Sequence, residues 1–204
     1  MTQTKRKPFL TVHKLTTIAI LSAISAVLFL PPFEIPVVLF YKLDFSTLPA
    51  LLGGFAMGPL SGMIILAIKS ALGLLHTTTN GVGEIADFLM GLAMVLPASL
   101  IYQHLRSRRG AVIGMIVGTV VAIVMAVLSN LYVLIPFYSV VYNMSLKEII
   151  GMGQKLFPAI QNEWSFVLFI TAPFNLIKWA LISLITGLIY KPLSPILHGM
   201  QKNR

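Results

Sequence analysis

The sequence predicts an all-α integral membrane protein with six transmembrane helices and both termini in the cytoplasm. Of its 204 residues, 57% are hydrophobic and only 10% are charged, whereas charged residues make up about 25% of a typical soluble domain. So little polar surface nearly excludes a soluble globular protein. The length suits about six helices of roughly 20 residues, which is the length that crosses a bilayer. We expect residues 1–204 to form a single membrane domain.

Six apolar segments are the candidate spans. Polar and apolar residues are only weakly separated onto different helix faces, as is typical of helices that are apolar all round. They cover residues 13–31, 45–58, 60–76, 83–105, 110–136 and 164–190. The first follows basic residues and could imitate a signal peptide, but no clear cleavage site precedes Pro31, so we expect an uncleaved span. The second is short and rich in glycine. We attribute Gly53, Gly54 and Gly58 to close helix packing.

The charges indicate which side of the membrane each loop faces, because cytoplasmic loops carry an excess of lysine and arginine. With a cytoplasmic N-terminus, the inner segments carry ten cations and no acid: Lys5, Arg6, Lys7, Lys14, Arg106, Arg108, Arg109, Lys191, Lys202 and Arg204. The outer segments carry three cations and five acids: Lys42, Lys147, Lys155, Glu34, Asp44, Glu84, Glu148 and Glu163. The net charge of +9 is therefore a topology signal. We expect no nucleic-acid partner, because the basic residues lack aromatic interleaving.

Three longer segments are expected on the outer face: residues 31–45, 76–83 and 137–163. Within the last of them, residues 145–157 are a candidate interfacial helix. This concentration of loops on one face suggests a lid over an outward-open site.

No pattern in the sequence indicates catalysis. The chain has no cysteine, which excludes disulfides, iron–sulfur clusters and thiol chemistry. The histidines form no H-E-x-x-H pair, and neither G-x-S-x-G nor G-x-x-x-x-G-K-[ST] occurs. We therefore expect no enzyme activity, no metal, no cofactor and no ATP hydrolysis by this chain alone.

Charged residues inside predicted spans are informative, because a lysine at the centre of a membrane helix costs about 2.5–3.5 kcal/mol. Lys69 precedes the outer end of the third span by seven residues, and Asp87 lies just below the outer start of the fourth. At 1.5 Å per residue both lie roughly 8–10 Å deep. We predict a structural ion pair between Lys69 and Asp87, with Glu84 as a rival partner. Contact with a ligand is the alternative.

The sixth span carries Lys178 near its middle, and Asn175 shares a helix face with it at i, i+3 spacing. Pro173 frees the carbonyl four residues earlier. Asn130 lies about six residues below the outer end of the fifth span. We predict that Asn130, Asn175 and Lys178 converge on a polar pocket in the outer half of the membrane. The alternative is that both asparagines bridge helices and Lys178 pairs with a carbonyl.

These groups suit a neutral or anionic heterocycle with carbonyl and ring-nitrogen acceptors, because an amide donates and accepts and an ammonium donates. We expect no buried acid beside Lys178, which disfavours a cationic substrate. Aromatic residues near the outer face could supply flat walls, although each is also a candidate interface anchor. They are Phe40, Tyr41, Phe45, Tyr132, Tyr138 and Trp164.

Four short segments carry a family resemblance when they are taken together. They are residues 41–49 (YKLDFSTLP), 52–59 (LGGFAMGP), 77–84 (TTTNGVGE) and 174–178 (FNLIK). In this order they resemble the riboflavin-specific S-components of energy-coupling factor (ECF) transporters, and the match runs from about residue 15 to residue 190.

The resemblance implies a substrate-binding subunit in a bacterial cell membrane that captures riboflavin from outside. It also implies a transmembrane coupling protein and two cytoplasmic ATPases as partners, which agrees with the missing ATP-binding motif. Ring contacts in the family come from the fifth and sixth helices and map to Asn130, Asn175 and Lys178. The outer loops supply weaker candidates: Tyr41, Leu43, Asp44, Phe45 and Thr79.

Small residues on the first span form a small-x-x-x-small face at Ala19 and Ala23. The residues alone allow this face to pack within the bundle or against another protein, and the resemblance implies contact with the coupling protein.

Three other functions remain open from the sequence. An S-component for another vitamin, such as thiamine, is disfavoured by Lys178, because thiamine is cationic. A self-sufficient secondary transporter is disfavoured by the lack of an obvious inverted repeat and by the presence of only one clear buried acid. An intramembrane enzyme has no acid–base or nucleophile arrangement to support it.

Overall fold

The computed structural model describes residues 11–38, 41–77, 79–141 and 144–199, and for residues 191–199 it describes the backbone alone. Several residues named above lie outside the described residues: Lys5, Arg6, Lys7, Phe40, Lys202 and Arg204. For Lys191 the side chain is also undescribed.

The first half of the chain forms three helices and a small hairpin. The elements are α1 (Val12–Leu28), β1 (Ile35–Val38), β2 (Tyr41–Leu43), α2 (Thr47–Met57) and α3 (Pro59–Gly73), and a 3₁₀ turn (Leu74–His76) follows α3. The antiparallel strands pair Ile35 with Leu43 and Tyr41 with Val38. From the sequence alone, only a loop is predicted in this region.

The second half is helical, with two interruptions. The elements are α4 (Val82–Leu105), α5 (Arg108–Ser129), a first π segment (Asn130–Leu134), α6 (Ile135–Val141), α7 (Leu146–Leu156), α8 (Glu163–Phe166), a second π segment (Val167–Thr171) and α9 (Ala172–Gly199). The candidate interfacial segment does form a helix, α7. Hydrogen bonds from Ser145, its backbone amide first, hold the pKa of Glu148 at the start of α7 below its ordinary value.

Among the described residues, four helical stretches are long and apolar enough to cross a membrane. They are Pro59–His76, Val82–Leu105, Arg108–Val141 and Glu163–Tyr190. They agree with four of the six predicted spans, and the fifth continues past its predicted end at residue 136. The other two predicted spans are shorter: α1 has 17 residues and α2 has 11. At 1.5 Å per residue α2 is about 16 Å long, roughly half the hydrocarbon thickness of a bilayer.

The short helix α2 lies inside the bundle, and almost every residue from Thr47 to Ala56 is buried. A Cβ at Gly53 would meet the side chain of Ile65, and one at Gly54 would meet the side chain of Ser99. Close packing therefore explains both glycines, as predicted. For Gly58 that explanation is wrong, because nothing lies within 4 Å of its Cβ position. Its φ of 95° is the reason for glycine at this turn.

Helices α4 and α5 pack along each other through small residues. A Cβ at Gly114 would lie 2.6 Å from the backbone oxygen of Ala98, and one at Gly118 would lie 2.5 Å from that of Met94. The opposite side of α5 exposes large apolar residues: Ile113, Ile116, Val120 and Val124. Exposed apolar surface of this extent is what a lipid-facing helix requires.

The two π segments have the same local cause. Each is followed within two residues by a proline, Pro136 after the first and Pro173 after the second. A proline lacks the amide hydrogen and its ring clashes with the carbonyl of the residue four positions earlier. That carbonyl belongs to Tyr132 or to Phe169, inside the π segment in both cases. Widening the helix there accommodates the proline, and π segments are frequent at functional sites.

Candidate functional site

A cleft lies at the end of the bundle that carries β1 and β2, which we call the hairpin end. It encloses about 760 Å³, including the space that is open to solvent. Six of the predicted ligand residues line it: Tyr41, Asp44, Thr79, Asn130, Asn175 and Lys178. The structure therefore brings together groups from β2, from the loop before α4, from the first π segment and from α9.

Each asparagine is held by its own helix. The Nδ2 of Asn130 donates to the carbonyl of Ala126 at 2.8 Å, and that of Asn175 donates to the carbonyl of Thr171 at 2.9 Å. Both side chains are almost fully buried. These bonds fix the direction of each amide group, so both can present their remaining donor and acceptor positions to the cleft.

Tyr41 ties the hairpin to both π segments. Its hydroxyl donates to Oδ1 of Asn130 at 2.7 Å and lies 2.6 Å from Oγ1 of Thr171. Because the tyrosine proton goes to Asn130, the Thr171 hydroxyl donates to the tyrosine oxygen. The Tyr41 ring also packs against Phe174, with ring centroids 5.1 Å apart. The position of β2 therefore depends on the two irregular helix segments.

Two lysines and two aspartates form one buried cluster beside the cleft. Lys69 forms an ion pair with Asp87, and Lys178 lies 2.8 Å from Asp44 and 3.5 Å from Asp87. Ser46 joins the cluster, since it donates to Asp44 through its amide at 2.9 Å and accepts from Lys69 at 3.0 Å. The four charges sum to zero, and each buried charge has a partner of opposite sign, as burial requires.

This cluster corrects one expectation about Lys178. From the sequence no buried acid is expected beside it, but Asp44 and Asp87 are both within ion-pair distance. Asp44 was assigned to an outer loop. It lies 134 positions before Lys178 in the sequence, so no local pattern indicates that the two side chains meet. The argument from Lys178 against a cationic substrate is therefore wrong, because its charge is compensated inside the protein.

The predicted partners Lys69 and Asp87 are paired in the structure, and the rival Glu84 is not part of that pair. Glu84 instead accepts hydrogen bonds from Thr77 at 2.9 Å and from Thr79 at 3.0 Å. Asp87 also lines the cleft. The Lys69–Asp87 pair can therefore hold two helices together and also lie beside a ligand.

Some predicted residues lie elsewhere. Phe45 packs against the hydrophobic core, and Leu43 is half-buried in β2 without contributing to the described lining of the cleft. Among the candidate aromatic walls, Tyr41 and Tyr138 line the cleft. Tyr132 and Trp164 are exposed on the outside of the bundle, with 66% and 53% of their surface accessible, which suits interface anchors.

Phe174 in the lining and Thr171 behind it were not among the residues predicted for the site. Helical spacing could have predicted both. Thr171, Asn175 and Lys178 fall at i, i+4 and i+7, and Phe174 lies one turn before Lys178. Glu84 was also not among the predicted ligand residues, although it lines the cleft.

The small residues of α1 lie on the outside of the bundle. Ala19 and Ala23 are exposed, whereas Ile18, Leu21 and Ser22 on the other side of the helix are buried. The small-residue face therefore does not pack against the part of the chain that the structure describes.

These features belong to a transport protein family. The family model for the substrate-specific component of ECF transporters matches residues 13–190, and the chain belongs to that family. The family consists of transporter components rather than enzymes. A solved structure of the S component of a bacterial ECF transporter superposes with a TM-score of 0.70 at 31% identity. The match covers 91% of this chain and 97% of that one.

Two relatives of this chain are named riboflavin transporters. The chain is 35% identical to the riboflavin transporter RibU of Staphylococcus aureus (strain TCH60), over 90% of this chain and 92% of the relative. It is 28% identical to the riboflavin transporter FmnP of Bacillus subtilis (strain 168), over 90% and 93% of the two chains. The resemblance noted in the sequence is thus confirmed.

Proposed function

We propose that this protein is the riboflavin-binding subunit of an ECF-type vitamin importer. The observation that carries the proposal is the convergence of Asn130, Asn175 and Lys178 on one cleft beside the paired rings of Tyr41 and Phe174. The names of the relatives point to the same ligand.

The cleft suits the chemistry of riboflavin. The isoalloxazine ring is flat and apolar on its faces, which complements aromatic side chains. Its pyrimidine-dione edge both donates and accepts hydrogen bonds, which an asparagine amide can match. Within the described part of the chain no hydrogen bond reaches Oδ1 of Asn175. The charge cluster around Lys178 is neutral as a whole, which supports a neutral ligand. Leu43 and Phe45 remain candidates for contact when the hairpin closes over the ligand.

We further propose six spans in a bacterial plasma membrane, with both termini in the cytoplasm and the hairpin end outside. The excess of cations in the inner segments supports this orientation. In this arrangement α1 spans the membrane, and α2 and α3 cross it as a tightly joined pair. The exposed face at Ala19 and Ala23 contacts the transmembrane coupling protein, and two cytoplasmic ATPases supply the energy.

Riboflavin binding is tested on the full chain purified in detergent. We expect the protein to quench the fluorescence of added riboflavin at a one-to-one ratio. Protein that neither carries flavin nor quenches its fluorescence would falsify the proposal.

The role of Lys178 is tested by Lys178→Ala, which we expect to weaken riboflavin binding by about tenfold or more, because a charge-assisted hydrogen bond is lost. The matched control is Lys147→Ala, a change of the same kind on the exposed side of α7, which should leave the dissociation constant unchanged. Equal effects of the two substitutions would remove Lys178 from the site.

A further inference from the structure

Glu84 is a carboxylate in the cleft without a cationic partner among the described residues. Both hydrogen bonds that it receives come from neutral hydroxyls, those of Thr77 and Thr79, and both end on Oε2. No described group hydrogen-bonds to Oε1. The residue is only 8% exposed, and it lines the same cleft as Asn175 and Lys178.

The local structure explains how an unpaired carboxylate is held there. Glu84 lies in the first turn of α4, where the partial positive charge of the helix N-terminus stabilises an anion. Oγ1 of Thr77 accepts from the amide of Gly81 at 2.9 Å, and Oγ1 of Thr79 accepts from the amide of Gly83 at 3.0 Å. Each hydroxyl is thereby oriented to donate to Glu84. The loop before α4 is built to present an acceptor.

Glu84 also reaches the cleft from a different element, α4, than the groups that suit a flat ring. It lies near the end of α3, since a Cβ at Gly73 would be 3.5 Å from its Cγ. Asn130, Asn175 and Phe174 enter from the first π segment and from α9. A ligand whose ring edge meets the asparagines can therefore place its substituent beside Glu84 and Thr79, which line the same cleft.

We propose that Glu84 is a specificity-determining residue that accepts hydrogen bonds from the hydroxyl groups of the ligand's sugar-alcohol chain and disfavours a phosphate on that chain. This inference rests on the proposed function. Hydroxyl groups can donate to a free carboxylate oxygen, whereas a phosphate ester carries a charge of about −1.5 to −2 at pH 7 and only acceptors. Two anions in a partly desolvated cleft repel each other strongly.

Charge complementarity around the cleft supports the same conclusion. Lys178 is engaged by Asp44 and Asp87, and Lys42 is engaged by Glu34 at 2.6 Å. Both cations of the lining are thus already paired with carboxylates in the structure. A phosphate would have to displace one of these partners, whereas a neutral polyol would not.

The experiment compares the dissociation constants of riboflavin and flavin mononucleotide in the purified full chain, by fluorescence quenching. We expect the wild-type protein to bind flavin mononucleotide about tenfold or more weakly. Glu84→Gln keeps an acceptor oxygen and removes the charge, so it should reduce that ratio by about tenfold. The matched control Glu148→Gln, on the exposed side of α7, should leave the ratio unchanged.

A measurement on the wild-type protein alone separates charge from size. Riboflavin with an acetyl ester on its terminal hydroxyl adds bulk without charge and should bind within about threefold of riboflavin. Equal affinity for riboflavin and flavin mononucleotide, equally weak binding of the neutral ester, or an unchanged ratio in folded Glu84→Gln would each overturn the role of Glu84. Failure of the wild-type protein to bind riboflavin would instead overturn the proposed function.

Discussion

At the hairpin end of the bundle two lysines and two aspartates are buried together, and two helices widen into π segments. At the opposite end, where α4 turns into α5, the helices are regular and the core is apolar. There the rings of Phe55, Tyr102 and Tyr190 pack with centroids 4.8–5.7 Å apart, and glycines bring α5 against α4. The hairpin end is therefore a polar and irregular site. The close-packed region at the opposite end, formed by these rings and by the α4–α5 contact, supports it, and we call this region the frame.

Each end depends on a different kind of interaction. The hairpin end depends on the paired charges of its buried cluster, because a buried charge that loses its partner is costly. The frame depends on volume, because closely packed helices leave no room for an added group. Substitutions that remove charge should therefore act at one end, and substitutions that add volume should act at the other.

The largest effect is expected for Asp87→Asn. It removes the carboxylate that pairs with Lys69, whose side chain is fully buried, and breaking a buried ion pair costs about 3–5 kcal/mol. The check is the thermal unfolding midpoint in detergent, which should fall by roughly 6–20 °C for a chain of this size. Lys42→Met, which breaks the more exposed pair with Glu34, should cost about 1 kcal/mol or less. A similar fall in the unfolding midpoint for both variants would contradict the conclusion that the buried cluster stabilises the fold more than the exposed pair does.

An intermediate effect is expected for Gly114→Ala in the frame. The added Cβ would lie 2.6 Å from the backbone oxygen of Ala98, and overpacking of this kind costs about 1–3 kcal/mol. Thermal unfolding measures it, with Gly151→Ala as the matched control, because nothing lies within 4 Å of that Cβ position. Alanine also favours helix over glycine, so the control in α7 should be neutral or slightly stabilising. If Gly114→Ala is as stable as the control, α4 and α5 are less closely packed than described.

The smallest effect is expected for Tyr41→Phe, which keeps the ring contact with Phe174 and removes the hydroxyl that joins Asn130 to Thr171. One hydrogen-bonding group of this kind contributes about 1 kcal/mol. Riboflavin titration should show about a fivefold weaker affinity, because the hairpin and Asn130 lose their connection. Tyr132→Phe is the control, since Tyr132 is exposed on the same π segment. An unchanged affinity for Tyr41→Phe would show that the hairpin is held in another way.

Residues within one helix could be predicted from their spacing and charges in neighbouring spans from their depth, but a contact between a loop and a distant helix could not. Asn175 and Lys178 share a helix face by their spacing alone, and the depth of Lys69 and Asp87 in neighbouring spans was enough to predict that they pair. The contact of Asp44 with Lys178 joins a loop to α9, so no local pattern reports it. Glu84 was read as a loop charge for the same reason, because its burial depends on how α3 and the loop before α4 fold over it.

The sequence by itself determined that this is a helical membrane protein, because hydropathy acts locally along the chain. It also determined the family, since four short segments match in order. Only the tertiary structure decided that the two buried lysines share one neutral cluster and that Tyr41 connects the hairpin to both π segments. It alone decided that Glu84 faces the cleft without a cation among the described residues. The physical reason is that partners for buried polar groups come from distant segments, and folding determines which of them meet.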